Sequence, residues 1–176
     1  MLETSVRPVN EELHFVEDEV IVSKTDLKGR ITYANDVFCR LAEMPTSALI
    51  GKPHSIIRHP DMPRTIFRFL WERLEAGHEI FAYVKNMSAT GRYYWVFAHV
   101  TPSFVNDSEI IGYHSNRRFA NKETVKQIAA LYREILTREA DFTSRKDGMQ
   151  AGYELFQAKI AATGMSYDEF IWSYGV

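Results

Sequence analysis

Gly51-Lys-Pro-His-Ser-Ile-Ile-Arg-His-Pro-Asp-Met-Pro-Arg64 is the stretch on which the reading of this 176-residue chain turns. Its three prolines fix φ and restrict the residues before them, so it is neither one helix nor one strand. A stiff connector carrying Arg58, His59 and Asp61 is placed to hold polar groups rather than merely to link elements.

N-terminal to it, Glu19–Lys24 is a β-branched strand, Asp26–Gly29 a turn and Arg30–Ala34 a second strand, together a hairpin. Asn35 is a cap for a short helix over Asp36–Ala42, and Thr46 for a turn through Ile50 that Gly51 ends. C-terminal to the connector, Ile66, Phe67, Leu70, Trp71 and Leu74 recur at helical spacing over Thr65–Ala76, with Gly77 as the stop. Three strands follow, Glu79–Asn86, Arg92–Phe104 and Ile110–Arg117, parted by turns at Ala89–Gly91 and Asn106–Ser108. From Asn121 the pattern is helical: a stripe of Val125, Ile128, Tyr132 and Ile135, a polar link Asp141–Gly148, a helix over Met149–Ala162 and a short one from Tyr167. The order gives an α+β domain, a five-stranded antiparallel sheet with helices on one face, over 19–118. An N-terminal segment, 1–18, precedes it and a C-terminal helical extension, 119–176, follows.

Composition narrows the function. With 45% hydrophobic and 25% charged residues the chain is in the globular range, and its net charge of −2 offers nothing to nucleic acid. No apolar run approaches the ~20 residues of a membrane span, so no direct membrane insertion is expected. Met1–Asn10 lacks a signal-peptide core, and the expected location is the cytoplasm. Cys39 is the single cysteine, which excludes a disulfide framework and a cysteine zinc site. No nucleophile–base–orienter set, glycine-rich phosphate loop or His-x-x-x-His spacing is present, so the chain is not read as an enzyme.

Asp26-Leu-Lys-Gly, Tyr33-Ala-Asn-Asp-Val-Phe38, Gly51-Lys-Pro-His54, Arg58-His-Pro-Asp-Met-Pro63, Val84-Lys-Asn86, Tyr94-Trp95 and Gly112-Tyr113, in this order, resemble a PAS domain. The likeness runs from Glu19 to about Arg118 and is nearest to the flavin-binding PAS sensors of bacterial aerotaxis (energy-taxis) receptors. The chain is most similar to the stand-alone PAS proteins of bipartite energy-taxis systems. The resemblance implies a non-covalent FAD, a redox-sensing role, and signalling by contact to a membrane-bound methyl-accepting chemotaxis transducer that recruits the protein to the inner face of the membrane.

Matching Asn86 and Gly91 to that flavin pattern turns Ile80, Ala82, Val84 and Asn86 inward on one strand and Val96, Ala98 and Val100 on the next. On the last strand it turns Gly112 and His114 inward and Tyr113 outward. The implied cofactor residues are Arg58, His59, Asp61, Asn35, Asn86, His114 and Trp71. Trp71 also fits a core position, Asn35 a plain helix cap, and Asp61 an Asx turn within the connector. Two features depart from the pattern: Ile80 stands where such sensors carry a Trp, and the turn Met87–Gly91 is not basic. The alternatives are haem b held by His54, His59 or His114, and a cofactor-free interaction module. The outward stripe Trp95, Phe97, His99 and Thr101 calls for a cover, either the chain's own termini, a second subunit in a homodimer, or the transducer.

Overall fold

The computed structural model describes residues 6–106 and 108–174. Asp107 of the expected Asn106–Ser108 turn, the first five residues and the last two lie outside that range. The strands are β1 (Ile21–Thr25), β2 (Ile31–Ala34), β3 (Ile80–Met87), β4 (Tyr93–Val105) and β5 (Glu109–Phe119). They form one sheet in the order β2-β1-β5-β4-β3, every neighbouring pair antiparallel. The helices are α1 (Asp36–Ala42), α2 (Thr46–Leu49), α3 (Arg64–Glu75), α4 (Lys122–Ala140), α5 (Arg145–Ala161) and α6 (Tyr167–Trp172).

Local signals place most helix starts. The Asn35 side chain accepts from the N–H of Phe38 and opens α1, and Asn121 accepts from Glu123 and Thr124 to open α4. At α2 the cap position falls on Pro45 rather than the expected Thr46, which becomes the first helical residue. Helix α5 begins four residues before the expected Met149, with the Ser144 hydroxyl accepting from the N–H of Asp147.

The proline-rich connector crosses from one edge of the sheet to the other. At its start, Gly51 N–H donates to Ile31, Ile31 N–H to Lys52 and His54 N–H to Gly29, beside the edge strand β2. Pro53 leads into a 3₁₀ turn over His54–Ile57, and Pro63 into α3. Between these, Arg58 bridges Asn86 on the opposite edge strand, β3. Each proline sits where a missing N–H costs nothing, at or just before the start of a helical turn or in the link between them. Both edges are thereby partly covered, which is how natural sheets avoid exposed pairing surfaces.

The outer face of β3 and β4 is covered by the chain's own C-terminal helices. Tyr132 of α4 donates its hydroxyl to the Tyr83 carbonyl at 2.7 Å, and Tyr167 of α6 donates to Phe81 at 2.5 Å. Trp172 stands edge-on to Phe81 and Phe97. The expectation of helices on one face thus holds for α1–α3, while the extension lies over the other. The N-terminal arm joins the start of β4, where Leu13 N–H donates to Tyr93 and Tyr93 N–H to Glu11.

Helix α3 is a wall with two sides. Phe67, Leu70, Trp71 and Leu74 face a cavity against the inner face of the sheet. Arg68, Phe69, Glu72 and Arg73 face the extension: Arg68 bonds to Gln150, Tyr153 donates to Glu72, Phe69 packs on Phe156 and Tyr167, and Arg73 pairs with Asp168. Pro63 supplies no side-chain cap to α3. Glu139 of α4 takes that role from outside: Oε1 accepts from the Thr65 N–H and hydroxyl, each at 2.8 Å, and Oε2 from the N–H (3.3 Å) and Nε (3.2 Å) of Arg64.

Candidate functional site

The space between α3, the connector and the inner sheet face is a cavity of about 240 Å³. Its walls are apolar, from Phe67, Leu70, Trp71 and Leu74 on α3 and Val84, Ala98 and Val100 on β3 and β4. These strand positions are the ones that alternation sends inward.

On β5 the alternation is displaced by one. Ser103 of β4 pairs with Gly112 but Phe104 pairs with Ile110, leaving Ile111 as an extra residue, a β-bulge. Without it Val100 would face His114; with it Val100 faces Ser115, and Ala98 faces Arg117. A one-residue slip exchanges the two faces of a strand. Tyr113, Ser115 and Arg117 therefore line the cavity, and His114 turns away to pair its Nε2 with Asn116 at 3.2 Å. This corrects the expectation of an inward Gly112 and His114. Gly112 is required for a different reason, since a Cβ there would lie 2.3 Å from the Thr25 carbonyl oxygen of β1.

The seven expected site residues divide accordingly. Arg58, Asn86 and Trp71 line the cavity. Arg58 spreads its guanidinium over the Phe67 ring at 3.7 Å, and Trp71 stands edge-on to Tyr113 at 5.1 Å. Asn35 does not line it: Oδ1 accepts from the N–H groups of Val22 and Phe38 and Nδ2 donates to Val20, so its amide ties β1 to α1. His59 and Asp61 wrap around the β3 edge to the outer face. The His59 ring, 4% exposed, packs edge-on to Tyr93, and its Nδ1 accepts from the Asp61 N–H at 3.0 Å. Asp61 accepts from Lys85 at 2.7 Å. Burial and the Lys85 charge push the His59 pKa down; for Asp61 burial acts upward, but the Lys85 hydrogen bond and charge outweigh it. Arg58 and His59 are adjacent, yet they lie on opposite sides of the edge strand.

Residues without a sharp sequence signal complete the site. His54, in the 3₁₀ turn, faces Arg117 and Ser23 across the cavity. Arg117 Nη2 donates to Ser23 Oγ at 2.6 Å and to His54 Nε2 at 2.5 Å. His54 is therefore a neutral acceptor at Nε2. Burial, then the charges of Arg117 and Arg58, hold its pKa well below the ordinary value. Burial also brings Arg117 down to about 10, so its guanidinium stays charged at neutral pH. In the sequence Arg117 is half of a short basic pair, and His54 is one of six histidines. The bulge that turns Arg117 inward leaves no mark in the local residue pattern.

The polar atoms of this cavity are conspicuously unsatisfied. Among the described residues, buried side-chain atoms without a hydrogen-bond partner include Arg58 Nε, Asn86 Nδ2, Arg117 Nη1, Thr25 Oγ1 and Ser115 Oγ, all on residues lining the cavity. Each such atom costs about 1–3 kcal/mol when left unmet. Among the described residues no carboxylate lines the cavity, whereas Arg58, Arg117 and Lys28 do. The chemistry of the site is that of an apolar cavity ringed by donors and positive charge, suited to an acceptor-rich or anionic ligand with an apolar body.

The comparisons with known proteins agree with this architecture. Residues 31–117 match the PAS fold family. The aerotaxis receptor of Escherichia coli (strain K12) is 37% identical over 119 residues, 68% of this chain and 23% of the receptor. A nitrogen fixation regulatory protein of Klebsiella pneumoniae is 27% identical over 99 residues, 56% of this chain and 20% of that protein. The chain thus spans under a quarter of the length of either relative. The light-state structure of the blue-light photoreceptor Aureochrome1 LOV superposes with a TM-score of 0.57 at 15% identity, covering 61% of this chain and 86% of that one, a likeness of fold. Among the described residues no helix is long and apolar enough to cross a membrane. The five-stranded antiparallel sheet, the cavity beneath α3 and the sequence kinship converge on one assignment: residues 31–117 form a PAS domain, similar in sequence to the part of the aerotaxis receptor that it matches.

Proposed function

We propose that the protein is a redox sensor that holds FAD in the α3–sheet cavity and signals by protein contact to a membrane-bound methyl-accepting chemotaxis transducer at the cytoplasmic face of the membrane. The observation that carries this reading is the set of five side chains, each with an unpartnered polar atom, around a cavity that no carboxylate lines among the described residues. Kinship with the aerotaxis receptor supports the sensing role, and both curated relatives are named for reception or regulation rather than for a reaction.

The size, apolar lining and positive charge of the cavity support a flavin. At about 240 Å³ the cavity is below the roughly 300–1,000 Å³ of sites that enclose a whole drug-sized ligand, so it suits the ring system, with the remainder of a dinucleotide leaving past exposed Lys28. Trp71 and Tyr113 supply aromatic surface, which answers for the missing Trp at Ile80. Asn86 and Ser115 would bond to ring-edge heteroatoms, and Arg58 and Arg117 would favour negative charge on the ligand. A bound flavin supplies reversible electron and proton uptake; the protein sets how readily that occurs through the charge and hydrogen bonds around it. Haem b fits less well. His59 and His114 do not line the cavity, and His54 already directs Nε2 at the Arg117 cation, the wrong neighbour for a ligand to iron.

The test is the chromophore. Purified protein is expected to be yellow, to bleach on reduction, and to release FAD on denaturation. A colourless protein that takes up no added FAD refutes the cofactor, and a Soret band in its place points to haem.

A further inference from the structure

The outer face of α3 carries a second set of constraints that sensing at the cavity leaves unexplained. Glu139 is 4% exposed, with all four of its hydrogen bonds directed to the first two residues of α3. Two glycines of α5 make room for it. A Cβ at Gly148 would sit 2.2 Å from the Glu139 carbonyl oxygen, and one at Gly152 would sit 2.6 Å from Thr65 Oγ1 and 2.8 Å from Glu139 Cγ. The α4–α5 hairpin is thus seated on the α3 N-terminus by a carboxylate cap with no slack. Beyond Thr65 the same helix presents Phe67, Leu70 and Trp71 to the cavity, and Phe67 carries the Arg58 guanidinium.

From this we infer that Glu139 is a positioning residue for the ligand cavity, and that the α4–α5 hairpin is the element that reads the state of the ligand through α3. The inference rests on the cavity holding FAD. A rigid helix clamped on one side and lined by ligand contacts on the other transmits a shift across its own width. Coupling of this kind is reciprocal: whatever factor the ligand contributes to docking of the hairpin, docking of the hairpin returns to ligand affinity.

The experiment measures both directions on the full chain. Hydrogen exchange is followed over α4 and α5 with and without FAD, and FAD dissociation constants are measured for wild type, Glu139→Gln and Gly152→Ala. Lys159→Gln serves as control, because it removes an ion pair to Glu134 within the hairpin and away from α3. FAD is expected to slow exchange in α4–α5. Glu139→Gln and Gly152→Ala are expected to weaken FAD binding roughly five- to fiftyfold, within the ordinary range of couplings, with the control inside twofold. A merely structural Glu139 would lower the melting temperature and leave the affinity of the folded protein unchanged, and that result overturns the inference. Equal exchange with and without FAD overturns it as well, and decides alone if neither variant folds. Should wild type bind no FAD, the cofactor assignment fails separately. Coupling is then read from urea unfolding of Trp71→Ala, Glu139→Gln and the double variant, where non-additivity supports the inference and additivity overturns it.

Discussion

Arg117→Met separates the requirements of the ligand from those of the fold. The guanidinium is 3% exposed and has no carboxylate partner among the described residues. Burial lowers its pKa from the ordinary guanidinium value to about 10, which at about 1.4 kcal/mol per tenfold is on the order of 3 kcal/mol of lost hydration. Its unpartnered Nη1 adds about 1–3 kcal/mol. Against this stand its bonds to Ser23 and His54, about 1.5 kcal/mol each. The Phe38 ring at 5.2 Å contributes about 1–2 kcal/mol more. Methionine fills a similar volume, and the Ser23 hydroxyl keeps His54 Nε2 as its partner at 3.2 Å. The ligand-free variant is therefore expected to be as stable as wild type or more stable by up to about 2 kcal/mol, a melting temperature higher by as much as about 4–8 °C. Flavin affinity should fall in the same variant by about 10- to 100-fold, the worth of one charge-assisted hydrogen bond. Denaturant melts of ligand-free protein and flavin titrations measure the two effects. A ligand-free variant destabilised by more than about 1 kcal/mol, or unchanged flavin binding, would refute the reasoning.

Asn86→Leu removes the unpartnered Nδ2 and should weaken flavin binding about tenfold while leaving the melt of ligand-free protein within about 1 kcal/mol, by the same titrations. Tyr132→Phe deletes the hydroxyl that pairs with the Tyr83 carbonyl and should lower stability by about 1–2 kcal/mol with flavin affinity within threefold, separating the outer face from the cavity. Glu43 is held at about 2: burial acts upward, but the hydrogen bonds from Arg92, Ser88 and Thr90 prevail. Its contribution, of order 1 kcal/mol after solvent screening, is present above the ordinary carboxylate range and lost as pH falls from about 4.5 toward 2. Glu43→Gln should flatten that part of an acid-unfolding curve.

Much of the fold is legible in local chemistry. Asn35 and Asn121 cap where their side chains allow, the apolar spacing of α3 is unambiguous, and alternation on β3 and β4 assigns the inward residues correctly. What escapes is set by distant parts of the chain. Helix α5 begins early because Gly148, a loop signal in isolation, is the only residue type that fits against the Glu139 carbonyl. Arg58 and His59 separate because the connector pairs with a sheet edge, and a strand-like segment sends neighbours to opposite sides. His54 becomes a cavity residue only once Arg117 is opposite it, and Arg117 is there because of a register that no nearby residue announces.

The bulge at Ile111 gives that register a wider meaning. It makes the electrostatic character of the cavity a matter of counting rather than of composition. Were Ile111 paired with Ser103 in a regular ladder, the wall would lose its tyrosine, serine and arginine and present glycine, histidine and asparagine instead. The same residues in the same order thus give a wall with or without an arginine, according only to whether Ile111 takes a partner on β4.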